Sequence, residues 1–321
     1  MLRAQEAPQR RRWIQAGRAP VQRFERAERG LLDHYEVVAS SRYVDLADPP
    51  LRVRVLEAGD PAAAPVLFVH GSGMSAPTWA PVLTHLAHRR IVAVDLPGFG
   101  LSDPHDYSRR SLRRHAVAQL TSILDATELR TVPIAGTSLG GMWALCLALE
   151  HPERVSAVIS LGMPAAALPG LKSDPFFKAM TTPVLRSVVS RLPAPGTPRS
   201  ARRAMKGVIG PAVERTPDAF FDVVAAGMRM PGWTLAMRSH LPLAFDRGRA
   251  RPENFLTDEE LRRIEVPVLL VWGTDDVYGG PDIGRRAVAV LPDARLEVLP
   301  GNHAPFLDDP ARCAALIDAM G

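Results

Sequence analysis

The chain has 321 residues, of which 46% are hydrophobic and 23% are charged, and its formal net charge is +5 at pH 7. This length and composition allow a substantial buried core, so we predict one large domain, with or without an insertion, and exclude a disordered or repetitive chain. The apolar runs are too short to span a bilayer and no secretory signal is visible, which predicts a cytoplasmic protein without a membrane span. Two cysteines are too few for a disulfide framework, and we expect free thiols at Cys146 and Cys313.

The chain begins with a polar segment, which we interpret as a basic N-terminal arm over residues 1–35. Residues 1–30 contain eight Arg and three acids, and the arm can be a docked helix, a disordered extension, a dimer contact or a patch that steers anions. Two strands are predicted next, over 36–46 and 51–59. Polar and apolar residues alternate in 52–56, which indicates a half-buried antiparallel strand.

From residue 66 the pattern changes to short, continuous apolar runs that alternate with helical segments. This alternation predicts a parallel sheet covered by helices on both faces. The predicted strands are 66–70, 91–96, 132–135, 155–161, 266–272 and 296–299, and the predicted helices are 78–88, 111–127, 139–151, 281–291 and 310–320.

Residues 164–255 interrupt the alternation with twelve prolines and short helical fragments such as 218–229. No strand pattern is visible in this segment, and it is too long to be a loop in a compact domain. We therefore predict a helical cap over 164–255, inserted into a core formed by residues 36–163 and 256–321.

The strand at 132–135 leads into a G-x-S-x-G motif, and a helix follows it. The motif is Gly136-Thr137-Ser138-Leu139-Gly140. In this context it is typical of a nucleophile elbow, in which small neighbours allow a strained turn to expose the serine hydroxyl. We predict that Ser138 is a nucleophile and that the backbone N–H of Leu139, at the helix N-terminus, binds an oxyanion.

A serine nucleophile needs a base, and the base needs an acid that orients it. Asp276 follows the strand at 266–272 and His303 follows the last strand, so both are predicted at the sheet edge where Ser138 lies. The chain order Ser, Asp, His is also that of this class of triad. Asp275 is the alternative acid, whereas no carboxylate follows the strand at 155–161.

The His-Gly-Ser-Gly sequence at 70–73 follows the first parallel strand, and its glycines allow close approach of the backbone to a substrate. We assign the second oxyanion N–H to Ser72, with Gly73 as the alternative donor. The predicted substrate pocket consists of Gly71, Gly73, Trp143, Met163, Trp233 and Tyr278, and packing in the core is the alternative that we favour for Trp143.

The predicted cap contains many large apolar side chains, most of which we expect to pack on the core rather than to contact substrate. They are Phe176, Phe177, Met180, Leu185, Phe220, Phe221, Met228, Met230, Trp233 and Met237. His240 is interpreted as a surface residue of the cap and not as a second acid–base group.

Five motifs together resemble the α/β-hydrolase family over residues 36–321. They are HGSG at 70–73, DLPGFGLSD at 95–103, GTSLGG at 136–141, VWGTDD at 271–276 and GNHAPFLDD at 301–309. The resemblance implies a mostly parallel, eight-stranded sheet flanked by helices, a helical lid over the site, and triad roles for Ser138, Asp276 and His303. It also implies that Asp95 and Gly98 belong to a structural turn without a catalytic role.

The expected activity is cofactor-free hydrolysis of an ester, lactone or thioester of a small hydrophobic substrate. Family members that cut C–C bonds of ring-cleavage products are the alternative. They usually continue HGSG with Gly-Pro-Gly, whereas this chain continues it with Met74-Ser75-Ala76-Pro77. An acyltransferase, lyase or cyclase on the same triad, and a ligand-binding protein with slow turnover, are also compatible with the motifs. No metal-ligand cluster, Walker loop or dinucleotide fingerprint is visible, so we predict neither metal nor cofactor.

The predicted partner is a small molecule, acted on by a monomer or homodimer. No nucleic-acid-binding motif accompanies the arginines, so we expect no nucleic-acid partner. Residues 164–251 contain eleven Arg and three Lys against five acids. We interpret these arginines mainly as solvated surface residues, and the alternative hypothesis is that the basic cap attracts acidic substrates. Equal rates for neutral and carboxylate-bearing esters, at low and at high salt, would exclude this hypothesis.

Overall fold

The computed structural model describes residues 18–173, 175–189 and 196–321. The eight strands predicted from the sequence are confirmed, with ends that differ by a few residues. They are β1 (Ala39–Asp45), β2 (Arg52–Gly59), β3 (Pro65–Val69), β4 (Arg90–Val94), β5 (Val132–Thr137), β6 (Val155–Leu161), β9 (Val268–Gly273) and β10 (Ala294–Leu299). These strands form one sheet in the order β1-β2-β4-β3-β5-β6-β9-β10, in which β2 runs antiparallel to both neighbours and the other pairs are parallel.

Helices cover both faces of this sheet, and alternate residues of a strand enter two separate hydrophobic clusters. In β4, Val92 and Val94 belong to one cluster, while Ile91 and Ala93 belong to the other. The helices are α1 (Arg18–His34), α2 (Ala80–Leu83), α3 (Leu112–Ala126), α4 (Leu139–Glu150), α5 (Pro175–Thr181), α6 (Pro183–Val189), α7 (Pro198–Ile209), α8 (Ala212–Arg215), α9 (Asp218–Met228), α10 (Pro231–Ala244), α11 (Asp258–Arg262), α12 (Asp282–Val288), α13 (Pro305–Asp308) and α14 (Pro310–Asp318).

Two local differences from the prediction have simple causes. The helix expected over 78–88 is a 3-10 turn, Ala76–Trp79, followed by the short α2, because Pro77 and Pro81 lack the backbone donors that a regular helix needs. Between β6 and β9, α5 to α10 are followed by a small hairpin of β7 (Phe245–Asp246) and β8 (Arg249–Ala250). Strands of two residues are too short to show an alternating pattern.

The predicted arm over 1–35 is, in its described part, a docked helix and not a pendant extension; residues 1–17 lie outside the described residues. Helix α1 packs against α9 of the cap segment, and its Phe24 and Leu31 are fully buried. The arginines of this helix surround a stripe of apolar residues with helical spacing. A count of the charges in this segment does not reveal that stripe.

A buried ion cluster connects α1 to the core. The Arg54 guanidinium, which is inaccessible to solvent, hydrogen-bonds the Glu28 carboxylate of α1, and its Nη1 lies 3.6 Å from Oδ2 of Asp95. Asp95 also accepts the N–H groups of Ala76 (2.7 Å) and Leu101 (2.9 Å), so it anchors the loops after β3 and β4. Burial, reinforced by the charge of Asp95 and opposed by that of Arg54, raises the pKa of Glu28 to about 7.

The raised pKa of Glu28 predicts a pH-dependent contribution to stability. Between its ordinary value of 4.5 and about 7, the unfolded chain releases the Glu28 proton while the folded chain retains it, so stability falls as pH rises through this window. The melting temperature of the wild type minus that of Glu28→Gln should therefore fall by several degrees between pH 4.5 and 8. Differential scanning calorimetry of the two proteins checks this, and a constant difference across the window would contradict it.

Candidate active site

Ser138 lies on a sharp turn between β5 and α4, with φ 51° and ψ −111°. Such a conformation is strained for a residue with a side chain and persists only where the surroundings impose it. Here two glycines permit it: a Cβ on Gly136 would lie 2.4 Å from the carbonyl carbon of Gly140, and one on Gly140 would lie 2.0 Å from the Val69 oxygen. Ser138 is partly exposed while its neighbours are buried, so the turn presents this hydroxyl.

His303 and Asp276 lie on the loops after β10 and β9 and are paired. Nδ1 of His303 is 3.0 and 2.9 Å from the two carboxylate oxygens of Asp276, and both residues are buried. Burial acts to raise the pKa of Asp276, but the charge of His303 and the hydrogen bonds to the carboxylate outweigh it and hold this pKa below its ordinary value. An ionised Asp276 places the imidazole proton on Nδ1. Nε2 of His303 is then free to accept a proton, and it has no hydrogen-bond partner among the described residues.

Asp275, the alternative acid, is exposed, and its carboxylate accepts a hydrogen bond from the Thr274 hydroxyl (2.9 Å). The structure therefore brings Asp276, and not Asp275, to the histidine. Gly273 at the end of β9 explains this arrangement. A Cβ there would lie 2.0 Å from the backbone carbonyl oxygen of Asn302 and would separate the loop of Asp276 from the loop of His303.

Two of the predicted pocket residues support this pair. The backbone N–H groups of Met163 and Tyr278 each donate to Asp276 at 3.0 Å, one to each carboxylate oxygen. The Tyr278 ring lies edge-on to His303, with centroids 4.5 Å apart, and stacks on Phe177 of α5. Met163 and Tyr278 thus contact the acid through the backbone, a role that sequence reasoning did not assign to them.

The loop 70–73 after β3 lies against the serine turn. A Cβ on Gly71 would be 3.3 Å from Cβ of Ser138, and Gly73 adopts a positive φ of 79°. His70 fixes the loop: Nδ1 donates to the Gly71 oxygen (2.8 Å), and Nε2 accepts the N–H of Leu96 (3.0 Å). Burial lowers the pKa of His70, so this neutral tautomer persists.

Leu139 is the first residue of α4, and its N–H precedes the first hydrogen bond within the helix, which runs from Met142 to the Ser138 oxygen (3.0 Å). Ser72 lies directly after Gly71 and is partly exposed. One backbone group predicted to bind an oxyanion thus lies at the N-terminus of α4, and the other lies on the loop after β3, which approaches Ser138 at Gly71.

Other predicted residues are distributed between the site and the core. Trp233 donates its indole N–H to the Gly73 oxygen (3.1 Å), and Met237 packs against the same glycine. Trp143, in contrast, is fully buried in the core, where its ring lies 6.3 Å from that of Tyr107. Among the other large cap side chains, Phe220 and Phe221 are buried in the cluster that includes α1, whereas Phe176 and Leu185 are exposed.

The interpretation of His240 as a surface residue is wrong. This histidine of α10 is fully buried, and its Nε2 lies 3.1 Å from Oγ of Ser72. The interpretation relied on the usual exposure of histidine, and the sequence does not reveal which face of α10 packs on the core.

Asn302 is a further residue that sequence reasoning missed. Its side-chain oxygen accepts the N–H groups of Val277 (3.1 Å) and His303 (2.9 Å), so it connects the loop of His303 to the loop of Asp276. Its place directly before the histidine was the available signal, because short polar side chains often hydrogen-bond neighbouring backbone in turns.

Within residues 18–173, 175–189 and 196–321, no group of three or more His, Cys, Asp or Glu side chains is arranged to hold a metal ion. In the same part of the chain, no helix combines the length and apolar character needed to cross a bilayer.

Helices flank a mostly parallel sheet, and a serine elbow and a buried Asp–His pair follow the carboxyl ends of its strands. This combination defines a hydrolase of the α/β class. Comparison with known families agrees: residues 66–316 match the model described as "Alpha/beta hydrolase family". The chain therefore belongs to the α/β-hydrolase family.

The individual proteins that this chain is similar to are named after different hydrolase activities. The chain is 29% identical to a 2-hydroxy-6-oxononadienedioate/2-hydroxy-6-oxononatrienedioate hydrolase from Cupriavidus pinatubonensis, over 88% of this chain and 96% of that protein. Among solved structures it is similar to a carboxylesterase from Bacillus subtilis, with a TM-score of 0.73, 22% identity, and coverage of 94% and 98% of the two chains. An enol-lactonase from Burkholderia xenovorans LB400 gives a TM-score of 0.67 at 18% identity, with coverage of 87% and 99%. These structural likenesses concern the fold.

Proposed function

We propose that this hydrolase is a serine esterase that cleaves an ester, lactone or thioester of a small, largely hydrophobic substrate through an acyl-enzyme. The observation that carries the proposal is the buried pairing of Asp276 with His303 at the sheet edge where the strained turn exposes Ser138. We further propose a cytoplasmic monomer or homodimer that needs no cofactor.

In the proposed mechanism, Nε2 of His303 takes the proton of the Ser138 hydroxyl as the oxygen attacks the substrate carbonyl. The N–H groups of Leu139 and Ser72 bind the oxyanion that forms, and Asp276 stabilises the charged imidazole. The tetrahedral intermediate then collapses with cleavage of the bond to the leaving group, which His303 protonates. A water molecule, activated in the same way, attacks the acyl-enzyme and releases the acid and free Ser138.

The apolar side chains near this site support a hydrophobic acyl group. Trp233 and Met237 of α10 adjoin Gly73, and Phe177 of α5 stacks on Tyr278, which itself packs on His303. Apolar and aromatic walls with a few placed polar groups are typical of small-molecule sites.

Hydrolysis of a C–C bond in a ring-cleavage diketone is a second candidate, and the name of the Cupriavidus relative favours it. The same triad can serve this reaction, but the proton must then be delivered to a carbon of the leaving group, whereas an ester or thioester leaving group is protonated on oxygen or sulfur. The dioate in that name also agrees with the hypothesis that the basic cap attracts acidic substrates.

A direct comparison of substrates separates the two candidates. We expect p-nitrophenyl esters of graded acyl length to give an initial burst and steady turnover, with a higher kcat/KM than a 2-hydroxy-6-oxo-dienoate ring-cleavage product. Faster turnover of the diketone would favour the C–C hydrolase, and acylation without hydrolysis until an acceptor is added would indicate an acyltransferase.

Neutral and carboxylate-bearing esters, assayed at low and high salt, test the acidic-substrate hypothesis in the same series.

A further inference from the structure

Helix α10 of the cap contacts the loop 70–73 through two polar side chains. The indole N–H of Trp233 donates to the Gly73 oxygen (3.1 Å), and Nε2 of His240 lies 3.1 Å from Oγ of Ser72. The two side chains are seven residues apart and therefore lie on the same face of the helix. The cap is thus bonded to two consecutive residues of the loop that carries the proposed oxyanion donor.

The hydrogen bonds of His240 settle which atom carries its proton. Nδ1 lies 2.8 Å from the carbonyl oxygen of Ala236, which can only accept, so Nδ1 is protonated. Nε2 of the neutral ring then offers a lone pair, and the Ser72 hydroxyl donates to it. Burial, with smaller contributions from the neighbouring His115 and His70, lowers the pKa of His240 to about 4, and the hydrogen bond to Ala236 opposes this shift.

The ring of His240 is held in place on its other sides. Phe99 and Tyr107 contact it in T-shaped geometry, with centroids 5.8 and 5.7 Å away. Tyr107 is itself fixed, because its hydroxyl donates to the Pro97 oxygen (2.9 Å) and its N–H donates to Ser239 of α10 (3.0 Å). His240 therefore presents Nε2 from a rigid position.

A hydrogen-bonded Ser–His pair invites the question whether Ser72 is a second nucleophile. A base for that purpose needs an acid at Nδ1 that stabilises the imidazolium, as Asp276 does for His303. His240 has a backbone carbonyl there instead, within a fully buried setting that opposes its protonation. The pair is suited to holding Ser72 in place and not to activating it.

We infer that His240 is a positioning residue, which holds Ser72 through its hydroxyl so that the Ser72 backbone N–H points at the developing oxyanion. This inference rests on the proposed function. It implies that the oxyanion site is complete only when α10 contacts the loop 70–73. Loss of an oxyanion donor costs about 10²–10³-fold in kcat, so a misdirected donor should cost about 10-fold or more. Substrate binding, which precedes formation of the oxyanion, should change little.

The test compares His240→Leu, His240→Gln and Ser72→Ala with the wild type on the best p-nitrophenyl ester, with active sites counted from the burst. Leu removes the acceptor, Gln retains an acceptor oxygen near the position of Nε2, and Ala removes the donor hydroxyl while keeping the backbone N–H. We expect His240→Leu and Ser72→Ala each to lower kcat by about 10-fold or more with KM changed less than about twofold, and His240→Gln to recover most of the loss. The double variant should be no worse than either single variant, because both remove the same bond.

A trifluoromethyl ketone that matches the best acyl chain adds a readout for the oxyanion itself. Its inhibition constant should rise in His240→Leu by about the factor by which kcat falls, since its adduct carries the same oxyanion. Leu235→Ala, on the exposed side of α10, serves as the control and should behave as the wild type.

Two outcomes would overturn the inference while leaving the esterase intact: a kcat for His240→Leu within twofold of the wild type, or additive losses in the double variant. A folded His240→Gln protein as impaired as His240→Leu would also overturn it. Undiminished ester turnover in Ser138→Ala, run in the same assay, would instead overturn the proposed function itself.

Discussion

Replacement of Ser138 by alanine is expected to lower kcat for the best p-nitrophenyl ester by about three orders of magnitude or more. The alanine variant keeps the elbow, the Asp276–His303 pair and the flanking backbone donors, but it lacks the oxygen that forms the acyl-enzyme. Residual turnover should come only from binding and oxyanion stabilisation of a direct attack by water.

Two measurements check this expectation. Stopped-flow release of p-nitrophenol should show a burst of about one equivalent in the wild type and none in Ser138→Ala, and intact-mass spectrometry should find the acyl group on the wild type alone. Ser40→Ala, at an exposed position of β1, is the matched control and should keep both signals. A burst that survives in Ser138→Ala would assign the nucleophile to another residue.

The sheet and the placement of Ser138, Asp276 and His303 were accessible from sequence because they depend on local signals. Each central strand is a continuous apolar run, since it is buried on both faces, and the carboxyl ends of parallel strands meet at one edge. A residue just beyond a strand end is therefore placed without knowledge of the rest of the fold.

The features that sequence reasoning missed depend on long-range packing. His240 meets Ser72 across 168 positions of the chain, and Glu28 meets Arg54 only because α1 packs across the core. The apolar spacing of α1 includes position 28, between Phe24 and Leu32, but no local signal in α1 or α10 identifies the distant residue that the buried polar side chain contacts. The pairing of His303 with Asp276, and not with Asp275, likewise depends on the close approach of two loops at Gly273.

These missed contacts share one effect, which is to fix the loops around Ser138. Asp95, balanced by Arg54, accepts the Ala76 N–H, and Leu96 of the same turn donates to His70. His240 then holds Ser72 from the cap, between the residues that these bonds restrain. Buried, paired polar groups give a loop one geometry, which is the property that an oxyanion site requires.

Asp276→Asn is expected to lower kcat by about 10³–10⁴-fold, while the protein stays folded. Asp276 accepts three N–H groups, from His303, Met163 and Tyr278, and an amide has only one oxygen to offer them. With the amide nitrogen toward His303, Nδ1 must become the acceptor and the ring proton moves to Nε2. The imidazole then cannot take the Ser138 proton.

Asp275→Asn is the matched control, because it makes the same change one residue earlier at an exposed carboxylate that bonds Thr274. Its kcat should stay within about twofold of the wild type, as for most surface substitutions away from a site. Steady-state kinetics of both variants, with circular dichroism to verify folding, decide between the two acids. The reverse ranking would mean that the loop rearranges when substrate binds, since Asp275 can orient His303 only if the Met163 and Tyr278 N–H groups release Asp276.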